Sequence, residues 1–205
     1  MKKISYYWVF SFLLGGLLFL LSGCASSKPS KFYALNTMKI SQDVRRTAFS
    51  DKHISIGLGP VEIPDYLDRP QIVTRTGQNE LLIAEFERWT GSLREDIERV
   101  LLENLSILVS QETISVVSTK GGMPFHYRLA VNVIRFDVMP EGDVELKAQW
   151  VVAGKEMQQI LMRESDIREQ IKGKDYSERV SAMSRALEKL SRDIGEGIKS
   201  VSVSR

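Results

Sequence analysis

The sequence predicts a single α+β domain, with a mixed, largely antiparallel sheet packed by two main helices. Three observations carry this. Two stretches, beginning near Ser92 and Tyr176, repeat apolar residues every three or four positions, the period of a helix with one buried face. Six to eight shorter stretches alternate apolar and polar residues, as half-buried strands do. The two kinds of segment hardly interleave, which favours a layered α+β arrangement over a parallel α/β sheet.

Taken in order, Phe32-Tyr33-Ala34-Leu35 reads as a first short strand, and polar residues 36–52 as a loop. Ile54, Ile56 and Leu58 alternate with Ser55, Gly57 and Gly59 in a second strand. Pro60 and Pro64 then punctuate a turn-rich connection, Ile63 to Pro70, with room for one helical turn. Gln71 to Thr76 and Leu81 to Glu85 form a hairpin around Gly77-Gln78-Asn79. In the first helix Leu93, Ile97, Val100, Leu101, Leu105 and Leu108 face the core, and the helix ends near Ser110. Ser92, with Glu95 three residues on, makes a capping box that starts it.

Ile114 to Ser118 is the next strand, and Gly121-Gly122-Met123-Pro124 breaks the chain after it. Tyr127, Leu129, Val131 and Val133 share one phase, whereas Ile134, Phe136 and Val138 share the other. Either both faces of that long strand are covered or a bulge near Val133 shifts its register. A turn at Pro140-Glu141-Gly142-Asp143 leads to a clean alternation from Val144 to Val152, and Gly154-Lys155 turns into a strand around Gln159 to Arg163. These three strands form an antiparallel meander. The last helix repeats Tyr176, Val180, Met183, Leu187, Leu190, Ile194 and Ile198. Gly195 and Gly197 weaken its final turns by about 1 kcal/mol each relative to alanine.

The leader sets the context of this domain. Lys2 and Lys3 precede an apolar run, Tyr6 to Leu21, and Leu21-Ser22-Gly23 then lead into Cys24, the single cysteine. Positive, then apolar, then small residues are the grammar of a secretory signal peptide. The run is about 16 residues, short of the roughly 20 that cross a bilayer. A thiol directly after Leu-Ser-Gly resembles the bacterial lipobox. That resemblance implies a leader of residues 1–23, a diacylglycerol thioether on Cys24, acylation of its new amino group, a tether over 24–31 and a domain over 32–205. Two or three acyl chains on one residue supply the double signal that stable anchoring needs. Ala25 is not the aspartate that favours inner-membrane retention in enterobacterial sorting, so the outer membrane is the expected destination.

Charge and motif content narrow the function. The chain has 28 basic and 26 acidic side chains. Losing Lys2 and Lys3 with the leader makes the mature protein neutral, with no long-range field to recruit nucleic acid. With Cys24 acylated no thiol remains for a disulfide. No nucleophile elbow or P-loop occurs, and His53 and His126 have no second ligand type at metal spacing. Asp65 and Asp68, beside two prolines and Arg69, read as turn-capping and ion-pairing groups rather than a catalytic pair. Neither an enzyme nor a cofactor is expected, apart from the covalent lipid. Tyr66, Leu67 and Trp89 are candidates for partial exposure, although aromatic residues in such positions more often cap a core. The alternative is a binding surface, for which these three with Asp68 and Arg69 are the candidate contacts to a partner or a second copy, since Tyr, Trp and Arg are enriched there.

Four stretches carry a family resemblance: FYAL after the tether, GPVEIPDYLDRPQIVTR at Gly59 to Arg75, Arg88-Trp89 before the first helix, and SRALEKLSRDI at Ser184 to Ile194. With them the chain resembles the ABC-type transport auxiliary lipoproteins of PqiC-like type, over nearly all of its mature length. The resemblance implies an outer-membrane lipoprotein facing the periplasm that works with a periplasm-spanning mammalian-cell-entry (MCE) domain protein in moving lipids between membranes. It further implies a non-enzymatic docking component that forms a homo-oligomeric ring. The alternative is a periplasm-facing carrier that holds a lipid within its own fold, which needs an apolar pocket of several hundred Å³.

Overall fold

The structure is a computed structural model that describes residues 28–39, 54–110, 113–154 and 158–203. Cys24, the leader, His53 and most of the loop read at 36–52 lie outside the described residues. The element order is β1 (Lys31–Tyr33), β2 (Ile54–Glu62), β3 (Gln71–Arg75), β4 (Leu81–Trp89), α1 (Leu93–Leu108), β5 (Ile114–Ser118), β6 (Tyr127–Val138), β7 (Asp143–Ala153), β8 (Gln159–Gln170) and α2 (Tyr176–Val203).

The α+β class holds, with the strands divided between two mixed sheets. One has the order β1-β4-β3 and the other β5-β2-β6-β7-β8. The meander β6-β7-β8 is antiparallel as expected, but β2 runs parallel to both of its neighbours, β5 and β6. The side-chain pattern of β2 explains why the alternation alone did not reveal this. Gly57, Leu58 and Gly59 are buried along with Ile56, so the strand is covered on both faces, as parallel strands generally are. Between Leu58 and Val61 the register against β6 shifts. Gly59 sits there at φ 136°, a conformation that only glycine adopts without strain.

Of the two readings of the phase switch in β6, a bulge near Val133 is present, between Val133 and Arg135. It turns Phe136 and Val138 to the buried side that Val131 and Val133 occupied before it. β8 continues well past Arg163 and pairs with β7 along its whole length. α1 begins on Ser92, whose Oγ accepts from Glu95 N at 3.4 Å. It packs against β2, β5 and α2, while α2 packs against β7 and β8, so both helices cover the larger sheet. Leu58, Ile97, Leu101, Leu129, Leu146 and Leu190 are completely buried between them.

α2 continues as helix through Gly195 and Gly197. It runs 28 residues, about 42 Å at 1.5 Å per residue, through both of them. Gly197 is where the helix meets β7 most closely. A Cβ there would press into the Trp150 indole and lie 3.1 Å from Leu161 Cδ2. Trp150 is 1% exposed, and its Nε1 donates to Ser165 Oγ at 3.2 Å, so the ring has no room to withdraw. Helix propensity favours Gly197→Ala by about 1 kcal/mol, whereas overpacking a rigid site costs about 1–3 kcal/mol. The substitution is expected to destabilise by about 1 kcal/mol in urea denaturation, a net result of those two effects. A stabilised variant would show that the indole moves freely.

Candidate functional site

The segment from Ile63 to Arg75 is where the two sheets meet. Pro64 starts a 3-10 turn over Asp65–Leu67, in which Leu67 N donates to Pro64 O at 2.9 Å and Asp68 N to Asp65 O at 3.2 Å. Leu67, 3% exposed, plugs the core beneath the turn. Tyr66 lies over β6 and its hydroxyl donates to Asp137 Oδ1 at 2.9 Å. Arg75, at the end of β3, donates to Asp137 Oδ2 from Nε and Nη2, each at 2.9 Å. Asp137 is 1% exposed, so a carboxylate on β6 is clamped from both sides by residues of this one segment. Arg135 stands further off, 3.9 Å from Asp137, and is engaged at 2.7 Å by Glu145. That hydrogen bond holds the Glu145 carboxyl below its usual range.

A second tie fixes the far side of the turn. Asp68 pairs with Arg94 of α1 at 2.6 Å, rather than with its neighbour Arg69. Trp89 N donates to Pro70 O at 2.8 Å, which closes the loop against the end of β4. Of the two readings, partial exposure holds for Tyr66 and core capping for Leu67 and Trp89. The latter two side chains are buried because the turn folds inward onto the core, which also removes them as direct contacts for anything outside. Asp68 is exposed, and Tyr66 and Arg69 are partly so. Arg69 Nε is buried with no hydrogen-bond partner among the described residues.

The environment of Tyr66 makes a pH-dependent prediction. Its phenol is pushed up to about 12, first by burial and then by the negative charge of Asp137. A group raised in the folded state favours folding at pH values below the unfolded value near 10, and that contribution disappears as pH rises through about 12. Tyr66→Phe is expected to cost about 1.5–3 kcal/mol at neutral pH, the worth of a hydrogen bond to a charged acceptor. The variant should also lose stability less steeply than the parent between pH 10 and 12, as read by denaturant midpoints. Parallel curves would place the alkaline sensitivity elsewhere.

A second constellation joins the N-terminal segment to the helices. Past β1 the backbone is held by side chains: Leu35 N donates to Asp96 Oδ2 at 2.6 Å, Asn36 N to Ser184 Oγ at 3.0 Å, and Met38 N to Asn104 Oδ1 at 2.9 Å. Arg99 Nη2 donates back to Leu35 O at 2.8 Å. Asn104, fully buried, also donates to Ser191 Oγ at 3.1 Å, so α1, α2 and the strap share one polar junction. Asp137 and Asn104 were missed in the sequence, although Asn104 left a trace, a polar residue three after Leu101 in an otherwise apolar helical stripe. Asp137 lies on the face of β6 opposite Phe136 and Val138, beside Arg135, and interrupts no apolar stripe.

Other features are less specific. His126 Nδ1 lies 2.8 Å from Ser55 Oγ and accepts from Ser55 N at 3.1 Å, a strand-joining contact. Among the described residues no group of three or more His, Cys, Asp or Glu side chains is placed to hold a metal ion. An open polar hollow of about 200 Å³ lies beside Trp89, Thr90, Ser92, Glu95 and Arg99. An apolar gap of about 10 Å³ lies between Ile56, Ile114, Tyr127, Val152 and Ile198.

Each of these junctions includes residues from the stretches that carry the family resemblance, and the comparison with family models agrees with that resemblance. The model for the ABC-type transport auxiliary lipoprotein component matches residues 33–195, from Tyr33 of β1 into the last turns of α2. The chain belongs to this family. Members are lipoproteins that assist ABC-type transport, which makes the chain a lipid-anchored membrane protein and a transport component. The fold is found in solved structures as well. The crystal structure of an uncharacterized protein superimposes with a TM-score of 0.69 at 21% identity, covering 83% of this chain and 99% of that one. Protein XCC0632 from Xanthomonas campestris does so with a TM-score of 0.64 at 14% identity, covering 81% and 93%. No curated protein matches by sequence.

Proposed function

We propose that this transport auxiliary lipoprotein is a non-enzymatic docking subunit, cut after residue 23 and held in the outer membrane by acylated Cys24. Its folded body faces the periplasm, receives an MCE-domain protein spanning that space, and so supports lipid transport between the membranes and envelope integrity. Copies associate as a homo-oligomeric ring. The observation that carries this reading is the rim of the DYLDRP turn. Tyr66, Asp68 and Arg69 offer an aromatic and two charges to solvent from a turn that is locked beneath by Asp137, Leu67 and Arg94. Rigid Tyr and Arg anchors bind with little ordering cost.

Co-purification of the detergent-extracted lipoprotein with its MCE-domain partner tests the proposal. Arg69→Glu is expected to abolish capture while leaving the unfolding midpoint unchanged. A wild-type protein that stays monomeric and captures no MCE-domain partner would sink the docking role. Among the described residues, the apolar gap beside Ile198 has room for about one water, so that gap does not hold the lipid of the carrier alternative.

A further inference from the structure

One end of the smaller sheet is unusual for a surface. Leu81, Leu82 and Ile83, three consecutive residues at the start of β4, are 37%, 51% and 47% exposed. Their partners on β3 differ, since Val73 and Thr74 are buried. β4 is the middle strand of its sheet, but β1 pairs only with residues Glu87 to Trp89. Among the described residues the other edge of residues 81–86 therefore has no strand partner, and it is apolar where exposed edges are ordinarily blunted by charge. Phe32, 63% exposed on β1, extends the apolar surface along the sheet.

The direction of β1 says what this edge faces. Phe32, Arg88 and Gln71 lie side by side across the three strands. β1 is parallel to β4, and β4 runs away from the hairpin turn. The chain before β1 therefore heads toward the turn, with Lys28, Pro29 and Ser30 exposed along the way. Cys24 precedes Phe32 by eight residues, a reach of at most about 28 Å at roughly 3.5 Å each. Leu81, opposite Arg75, lies about 13 Å in the same direction, four residues of β3 beyond Gln71 at about 3.3 Å each. A tether stretched along the line of β1 leaves the hairpin end within about 15 Å of the anchored residue, so the two can lie against the same membrane surface.

We infer that the Leu81–Leu82–Ile83 edge of the hairpin, with Phe32 behind it, rests in the headgroup layer of the bilayer that holds the lipid. The inference rests on the acylation of Cys24 proposed above. Water in that layer still satisfies the open backbone edge, which the hydrocarbon core would not. Lys28, Lys31 and Arg88 are balanced by Glu80, Glu85 and Glu87 around this end, so the contact is apolar and does not need anionic lipid.

The test uses the lipidated full-length mature protein in phosphatidylcholine vesicles. Leu82→Cys is labelled with an environment-sensitive fluorophore, and Thr90→Cys, at the opposite end of β4, serves as the reference. Cys24 is the single native cysteine, so its acylation leaves one label per chain. The dye at residue 82 is expected to be dimmed by a quencher carried on lipid chains and to lose the iodide quenching seen at residue 90. Equal iodide quenching at both sites, with no lipid-borne quenching, overturns the membrane contact. Shielding of residue 82 from both quenchers overturns it too, and assigns the edge to a second copy of the chain. Two labels per chain, with no acyl mass on Cys24, removes the anchor itself, an outcome separate from failure of the hairpin alone.

Discussion

Arg75→Ala is expected to remove about 3–5 kcal/mol of folding stability in urea denaturation, the cost of breaking a buried ion pair by deleting one partner. The size follows from what remains. Asp137 is 1% exposed and would keep the Tyr66 hydroxyl, but both hydrogen bonds to Oδ2 would be gone. Arg135 does not readily substitute, because it is 3.9 Å away and its short contact is with Glu145. Arg75→Lys should fall between the two, since an ammonium restores charge but not the two-nitrogen fork. Replacing Arg75 and Asp137 together with leucine should cost less than Arg75→Ala alone, because no unpaired charge is left buried. A loss below about 1 kcal/mol for Arg75→Ala would mean that water reaches Asp137 and that the pair is in effect a surface one. The consequence for function is positional. β3 is held against β6 here, so loosening the pair frees the hairpin whose other strand carries Leu81 to Ile83.

The fate of the DYLDRP stretch separates what local sequence can tell from what it cannot. Its turn was legible, because Pro64 and Pro70 fix backbone angles whatever surrounds them. So was the bulge in β6, because a phase switch between Val133 and Phe136 has few physical causes. Strand direction was not legible. β2 presents apolar residues to both faces, and that pattern is the same whether its neighbours run parallel or antiparallel. Nor could local reading find the partners of Tyr66 and Arg75, since Asp137 lies more than 60 positions away and reaches them through tertiary packing. Local reading likewise left exposure and core capping both open for Leu67 and Trp89, which are core residues. Gly197 shows the converse. Propensity marked it as a weak point, and close packing against Trp150 makes it a requirement.

The largest functional loss is expected from Cys24→Ala combined with a leader that ordinary secretory processing removes. The exchange of leader matters, because the uncut apolar run of residues 6–21 would otherwise hold the protein at a membrane by itself. Among the described residues no helix is long and apolar enough to cross a membrane. The released domain should fold with an unchanged midpoint, since Leu35, Asn36 and Met38 keep their hydrogen bonds to Asp96, Ser184 and Asn104. Those bonds bolt the chain to both helices within a few residues of β1, so the proposed anchor on Cys24 would hold a body that is rigid from β1 onward. Without lipid that body is free to diffuse, and cells relying on it should lose envelope integrity completely, as measured by detergent sensitivity. Full complementation by the soluble domain would mean that anchoring has no mechanical role, and would leave the rim of the DYLDRP turn to act from solution.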